Sequence, residues 1–268
     1  MLQRAFEALG GECELFAPET GVEADSLERG EAWIHEMHDR FTRFNASSEL
    51  SRFNAAAGAW MEVSVELRAL LLESLRAYEM SGGLVHAGTL PALLAAGYTR
   101  DFSLGGTPTT APPAPPAPLP ELLELHGNDA RLAPGAAIDL GGIAKGWLAD
   151  RLAEGLGPNC LVNLCGDLYA RGEGETGEGW PVGFGERTVL LHDMGAATSG
   201  TTKRMWGRGL HHLIDPRTAR PAVTDLKEVS VLATTATDAE IFAKVALLLG
   251  SSAGAKWLEG RALGWSFV

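Results

Sequence analysis

At 268 residues, with 46% hydrophobic and 21% charged positions, the chain has the make-up of a globular protein able to bury a substantial core as one large domain or two small ones. Its formal net charge of −12 excludes non-specific nucleic-acid binding, which depends on lysine and arginine neutralising phosphates. Its three cysteines, Cys13, Cys160 and Cys165, are odd in number and lack CxxC spacing, so neither a disulfide framework nor a zinc knuckle is indicated and a reducing compartment fits best.

The first residues, Met1 to Glu7, lack a charged segment followed by an apolar one, and no stretch is long enough to span a bilayer. The expectation is a cytoplasmic protein with no membrane span and no nucleic-acid partner. Residues from about Glu12 to Phe16 alternate like a strand, and Trp33, Ile34, Met37 and Phe41 mark the buried stripe of a helix. The polar run from Phe44 to Asn54 reads as a loop. Ser64 is a plausible N-cap for a second helix, in which Leu67, Leu70, Leu71, Leu75 and Tyr78 recur at three-four spacing before the stop at Ser81-Gly82-Gly83. The proline-rich loop 105–120 cannot form a packed element, because proline removes backbone donors and favours extended geometry, so it reads as a linker or surface loop.

Ala136, Ala137 and Ile138 read as a short strand that enters Asp139-Leu-Gly-Gly-Ile-Ala-Lys-Gly146, after which Trp147, Leu148, Leu152 and Leu156 fall at helical spacing. An acid, a glycine pair and a lysine at a strand-to-helix junction form a pattern suited to a polyanion. Glycine lets backbone approach a ligand, the N–H groups of a helix start attract phosphate, and Lys145 adds a full positive charge. In so acidic a chain, an anionic ligand needs local compensation from helix N-termini, a divalent cation, or basic residues such as Lys145, Lys203 and Arg204.

Further on, Leu161-Val162-Asn163-Leu164 reads as a strand that breaks at Cys165-Gly166-Asp167 and resumes at Leu168. The glycine-rich stretch from Arg171 to Gly185 reads as an exposed hairpin. Thr198-Ser199-Gly200 then precedes Lys203-Arg204, and His211 to Thr218 delivers a histidine on a short strand into a proline turn. Val229, Val231 and Ala233 alternate, and Ile241, Phe242, Val245, Leu248 and Leu249 form a helical stripe ending at Gly250. Taken singly, these residues have structural readings: His212 as a core histidine, Asp215 as a turn former, and Asp167 as an Asx-turn residue.

Taken in order, Asp139 to Gly146, Val162-Asn-Leu-Cys-Gly-Asp167, Ser199-Gly200 and His212-Leu-Ile-Asp-Pro-Arg-Thr218 resemble the ApbE-type family, the FAD:protein FMN transferases. Ser48-Glu-Leu-Ser-Arg-Phe-Asn54 is also similar to a segment of that family, and the resemblance spans nearly the whole chain. It implies an α/β fold with mixed α+β sheets, a T-fold-like architecture with an FAD cleft between two subdomains, and a single domain over residues 1–268. It also implies FAD as donor, Mg2+ as cofactor, and transfer of FMN to a Ser or Thr hydroxyl of an acceptor flavoprotein, with AMP leaving. Such phosphoryl-type displacement depends on positioning and charge neutralisation.

Carried over position by position, the resemblance implies that Asp139, Lys145, Ile214, Asp167, Ser199, Leu84, Val85 and His86 contact FAD. His212 would serve as base toward the acceptor hydroxyl, a role that suits its titration range, with Lys145 beside it in catalysis. The metal positions correspond to the Gly142 backbone oxygen, Glu240 and Lys244. Two of these depart from the family's aspartate and threonine: glutamate remains an oxygen donor, whereas protonated lysine cannot ligate a cation. Lys244 then either supplies the positive charge itself or pairs with Glu240 one turn away. Other departures are Leu9-Gly10-Gly11, Val85-His86-Ala87-Gly88, Cys165 before Gly166-Asp167, and Ala219. Competing expectations are an FAD-binding or FAD-hydrolysing protein without transfer, and a non-catalytic interaction module, which would have no need of His212.

Overall fold

The computed structural model describes residues 1–19, 23, 25–185, 187–207 and 209–268. The chain opens with β1 (Leu2–Ala8), β2 (Gly11–Ala17), α1 (Ser26–Phe41), α2 (Glu49–Ala55), β3 (Met61–Glu62), α3 (Val65–Met80), α4 (Leu90–Ala95) and α5 (Leu119–Leu122). It continues through β4 (Leu123–His126), β5 (Asp129–Leu132), α6 (Ala144–Leu156), β6 (Cys160–Leu164), β7 (Asp167–Arg171), β8 (Trp180–Phe184), β9 (Arg187–Leu191) and β10 (Met194–Gly200). The last part holds β11 (Met205–Trp206), β12 (Leu210–His211), β13 (Ile214–Asp215), β14 (Arg220–Pro221), β15 (Glu228–Ala233), α7 (Ala236–Leu249), α8 (Ser251–Leu258) and β16 (Gly264–Phe267). This is the expected mixed α/β fold.

The chain divides into two compact units, one made of Met1–His38, Ala144–Gly200 and Thr224–Val268, the other of Asp39–Ile143 and Thr201–Val223. The first unit is built on an antiparallel sheet whose order, among the described residues, is β1-β2-β6-β7-β10-β15-β16. Helices α6 and α7 carry its core, burying Leu148, Leu152, Ile241, Val245 and Leu247. They cross closely because residue 146 is glycine: a Cβ there would lie 2.5 Å from the Ala236 carbonyl oxygen. Each helix also caps the other. Glu240 of α7 accepts from the Gly146 N–H at 2.9 Å, and Asp150 of α6 accepts from the N–H groups of Ala236 and Thr237 at 2.8 and 3.0 Å. Orphan donors of both first turns are thereby satisfied by buried carboxylates.

The second unit holds the small sheet β3-β5-β4, the ribbons β11-β12 and β13-β14, and helices α2 to α5. The Ser64 N-cap forms as expected, its hydroxyl accepting from the Leu67 N–H at 3.1 Å, and Ser81 closes α3. Residues 105–118 contain no helix or strand. Even so, the proline-rich loop is fastened at both ends, by the Thr110 N–H to the Ala95 carbonyl at 2.8 Å and by the Ala117 carbonyl to His86 Nε2 at 3.0 Å.

Three expectations about local structure are corrected. The run from Phe44 to Asn54 is a loop only up to Ser48, whose side chain caps α2 by accepting from the Ser51 N–H at 3.0 Å. Ala136 to Ile138 do not join a sheet. Their backbone is held by the Asn54 side chain, which accepts from the Ile138 N–H at 2.8 Å and donates to its carbonyl at 2.9 Å. The hairpin placed at Arg171 to Gly185 is β8–β9, shifted toward the C-terminus, and its first residue, Trp180, is buried and donates to the Arg171 carbonyl.

Candidate functional site

In the first unit, three segments far apart in sequence meet at Lys145. Its ammonium pairs with Asp167 at the start of β7, and with Glu240 Oε1 on α7 at 3.3 Å. Asp167 is placed by the tight turn Cys165-Gly166, whose φ values of 61° and 96° are both positive, as a two-residue hairpin of this twist requires. Glu240 is placed by α7, and its other oxygen is the one that caps α6. The side chains of Asp167 and Glu240 are 3% and 4% exposed against 17% for Lys145, so a nearly buried pair of carboxylates surrounds one half-buried cation. Ser199 lies buried on β10 opposite Val229, and Lys244 is half-buried one turn beyond Glu240.

The boundary between the units falls inside the motif, between Ile143 and Ala144, so Asp139 belongs to the other unit. There its carboxylate accepts from Arg43 Nε at 2.9 Å and from the Gly141 N–H at 2.9 Å, while its own N–H donates to the Ala87 carbonyl. The Arg43 guanidinium lies over the rings of Phe44 and Tyr98, 4.2 and 4.5 Å from their centroids. Tyr98 in turn packs on Trp206 at 5.3 Å. Burial leaves the Tyr98 hydroxyl above its ordinary pKa, against the opposing charges of Arg204 and Arg43. Arg43, Phe44 and Tyr98 were not singled out from the sequence. Arg43 carried no signal of its own there, since a lone arginine between Thr42 and Phe44 has no distinguishing spacing.

Ile214 sits on β13 in an apolar cluster with Leu90, Leu93 and Ala219, against which Tyr98 and Trp206 pack. His212 lies between β12 and β13, half-buried, rather than on a strand. The following turn is stiffened by Asp215, which receives two parallel hydrogen bonds from Arg217, Nε to Oδ1 at 2.9 Å and Nη2 to Oδ2 at 2.7 Å. Leu84 is half-buried and Val85 buried, with the Val85 N–H bonded to Ser81 Oγ. His86 has both ring nitrogens engaged: Nδ1 accepts from the Gly88 N–H at 3.0 Å, so Nε2 carries the hydrogen given to Ala117. Burial lowers its pKa despite that bond. Its imidazole therefore serves the local fold.

The residues proposed for a divalent ion can be tested on donor chemistry. Both Glu240 oxygens already accept hydrogen bonds, Lys244 brings a second ammonium to the same helix face, and Gly142 lies in the turn before α6. Among the described residues, no group of three or more His, Cys, Asp or Glu is arranged to hold a metal ion. Glu240 and Lys244 as they stand do not fit a magnesium site.

A family model described as the ApbE family matches residues 10–265 of the chain. The chain is 27% identical over 257 residues to an FAD:protein FMN transferase of Haemophilus influenzae, covering 86% of this chain and 74% of that protein. It is 35% identical over 140 residues to one of the same name from Treponema pallidum, covering 43% of this chain and 39% of that protein. Among solved structures, the flavinyl transferase ApbE of Pseudomonas stutzeri, in its apo form, is similar with a TM-score of 0.84 at 21% identity, over 100% of this chain and 90% of that one. The ApbE protein of Thermotoga maritima gives a TM-score of 0.84 at 21% identity, over 100% and 94%. At these identities the structural likeness establishes the fold.

Proposed function

The chain belongs to the ApbE family, and we propose that it is an FAD:protein FMN transferase, moving FMN from FAD to a Ser or Thr hydroxyl of an acceptor flavoprotein. The acceptor oxygen bonds to the FMN phosphorus, the bond from that phosphorus to the bridging oxygen breaks, and AMP leaves with the bridging oxygen. The hydroxyl proton passes to His212. The observation that carries this reading is the meeting of Lys145, Asp167 and Glu240, 95 residues apart at the extremes, within a chain that matches the family over residues 10–265.

Lys145 is held by two carboxylates and offers its ammonium to the pyrophosphate as a hydrogen-bond donor. Asp139, fixed by Arg43 and Gly141, and Asp167 act on FAD from polar positions, with Ser199 beside β15; Ile214, Leu84, Val85 and the backbone of His86 make up the rest of the FAD contacts. The whole chain, 1–268, acts as one transferase domain in which the proline-rich loop is a spacer. Cytoplasmic residence is part of the proposal, resting on cysteine usage. Among the described residues no helix is long and apolar enough to cross a membrane.

The Mg2+ of the family resemblance enters no step here, because the donor set at Glu240 and Lys244 does not suit it. That same observation favours a second reading, an FAD-binding or FAD-hydrolysing protein without transfer. One experiment separates them: incubate the protein with FAD and an acceptor flavoprotein, with and without added Mg2+, and follow AMP release and acceptor mass. Transfer predicts AMP and an FMN adduct in equal amounts; AMP without adduct overturns it in favour of hydrolysis, and bound flavin without AMP in favour of binding. Replacing His212 by Ala is expected to keep FAD binding and remove transfer, and a fully active variant would remove the proposed base.

A further inference from the structure

Two of the three thiols lie side by side. Cys13 on β2 and Cys165 in the β6–β7 turn are 152 residues apart in sequence, yet their sulfurs are 3.9 Å apart. The arrangement follows from the sheet. Cys13 is in register with Leu164, and the Cys165 N–H continues the ladder to the Glu12 carbonyl at 3.1 Å. Cys165 then turns into the left-handed region, at φ 61°, which swings its side chain back toward β2. Both sulfurs donate to one acceptor, the Ala8 carbonyl, at 3.6 and 3.4 Å. The strands hold the two residues in one geometry, and the ordinary S–S bond of ~2 Å needs the sulfurs to close by roughly another 2 Å, within reach of side-chain rotation.

We propose that Cys13 and Cys165 form a site of reversible oxidative modification, a dithiol that peroxide converts to a disulfide joining β2 to the turn that positions Asp167. The two sulfurs have different roles. Cys165 is half-buried and is the one peroxide reaches, whereas Cys13 is fully buried. The hydrogen bond with Cys165 and then burial push the Cys13 thiol above its ordinary pKa. Cys165 sulfur attacks one peroxide oxygen, the O–O bond breaks, and a sulfenic acid and one water result. The Cys13 sulfur then attacks the sulfenic sulfur, the S–O bond breaks, and the departing hydroxide takes the Cys13 proton as a second water. Two thiols and one hydrogen peroxide give one disulfide and two waters.

Cys160 stands apart and provides an internal control. It is buried on β6, its sulfur faces the Ala153 carbonyl at 3.6 Å, and burial pushes its pKa up to about 12. The test treats the full chain with hydrogen peroxide, removes the excess, and counts thiols under denaturing conditions, with peptide mapping without reductant. The expected result is a fall from three thiols to one, a mass loss of about 2 Da, a linked peptide pair containing Cys13 and Cys165, and recovery of all three thiols with dithiothreitol. Cys165→Gly, which suits the positive φ, and Cys13→Ala should each leave the other two thiols unpaired after the same treatment. Three surviving thiols, a bridge to Cys160, or Cys165 driven to sulfinic acid while Cys13 stays a thiol would each overturn the proposal. These readouts do not depend on flavin transfer.

Discussion

The Lys145 cluster and the Arg43–Asp139 pair each hold one charged residue of the Asp139 to Gly146 motif, yet they are built on opposite principles. At Lys145, one ammonium serves two carboxylates that are almost out of water, and the helix start of α6 shares the load through the Gly146 N–H. At Asp139, one carboxylate that keeps 21% of its surface is served by a guanidinium that is itself 6% exposed and laid between aromatic faces. In the first the buried partners are anions, and in the second the buried partner is the cation. Arginine tolerates this because its delocalised charge is weakly hydrated and stacks on rings, whereas a lysine ammonium keeps its solvation better at a half-open position. The difference predicts where each site is fragile: remove the cation from the first and two buried charges are stranded, remove it from the second and one half-wet charge remains.

The largest effect should therefore come from Lys145→Met, which leaves Asp167 and Glu240 without a counter-charge. A loss of roughly 3–5 kcal/mol in urea unfolding is expected, and Lys145→Met combined with Glu240→Gln should recover part of it. A loss under 1 kcal/mol would mean that the carboxylates share a proton or reach solvent, and the contrast with Asp139 would collapse. Gly146→Ala is next. Its methyl would meet the Ala236 carbonyl at 2.5 Å, so the α6–α7 crossing has to open, with loss of the Glu240 cap. The expected cost is ~1–3 kcal/mol, read from the same unfolding curves.

Much of the first site was legible because its residues sit in short, worded segments: Lys145 after a glycine pair, Asp167 after a turn, Glu240 ten residues before the helix-ending Gly250. What the sequence did not reveal is that Glu240 spends one oxygen on the α6 backbone while Asp150 repays α7 in kind, because such mutual capping depends on how two helices cross. The second site was legible only at Asp139. Arg43 acts through rings at residues 44 and 98, and no periodicity connects them. Two of the misread segments have related causes. α2 is seven residues long with Leu50 and Phe53 as its buried apolar positions, too few for a helical period to emerge. Ala136 to Ile138 join no strand, and the hydrogen-bond partner of Ile138 is an asparagine side chain 84 residues away.

Arg43→Met should have the smaller effect that the comparison requires, about 1–2 kcal/mol, since Asp139 can turn to water while the ring contacts are lost. Arg43→Lys sharpens the point. It restores the charge without the flat, stacked guanidinium, so it should recover less than half of the loss in unfolding experiments. Full recovery would show that charge alone matters at this site and that the aromatic faces are incidental.

The smallest effect separates the two units by pH. In the second unit, burial lowers the pKa of both His86 and His211, against the opposing bonds to the Ala117 and Ala222 carbonyls. The folded protein therefore favours the neutral rings, and as pH falls below the ordinary histidine value of 6.5 the unfolded chain takes up protons first, so stability declines. In the first unit, burial raises the pKa of Asp150 above its ordinary 3.8 despite the bonds from Thr237 and Ala236. Its sign is opposite: the folded form binds the proton first, and the cost of burying that carboxylate is relieved as pH falls toward 3.8. Between pH 7.5 and 5.5 the urea midpoint should thus drop because of the histidines. His211→Gln, which retains a side-chain donor for the Ala222 carbonyl, should flatten the drop, while Asp150→Asn should lower the midpoint at every pH without flattening it. A slope unchanged by His211→Gln would remove that histidine as a source of the pH dependence.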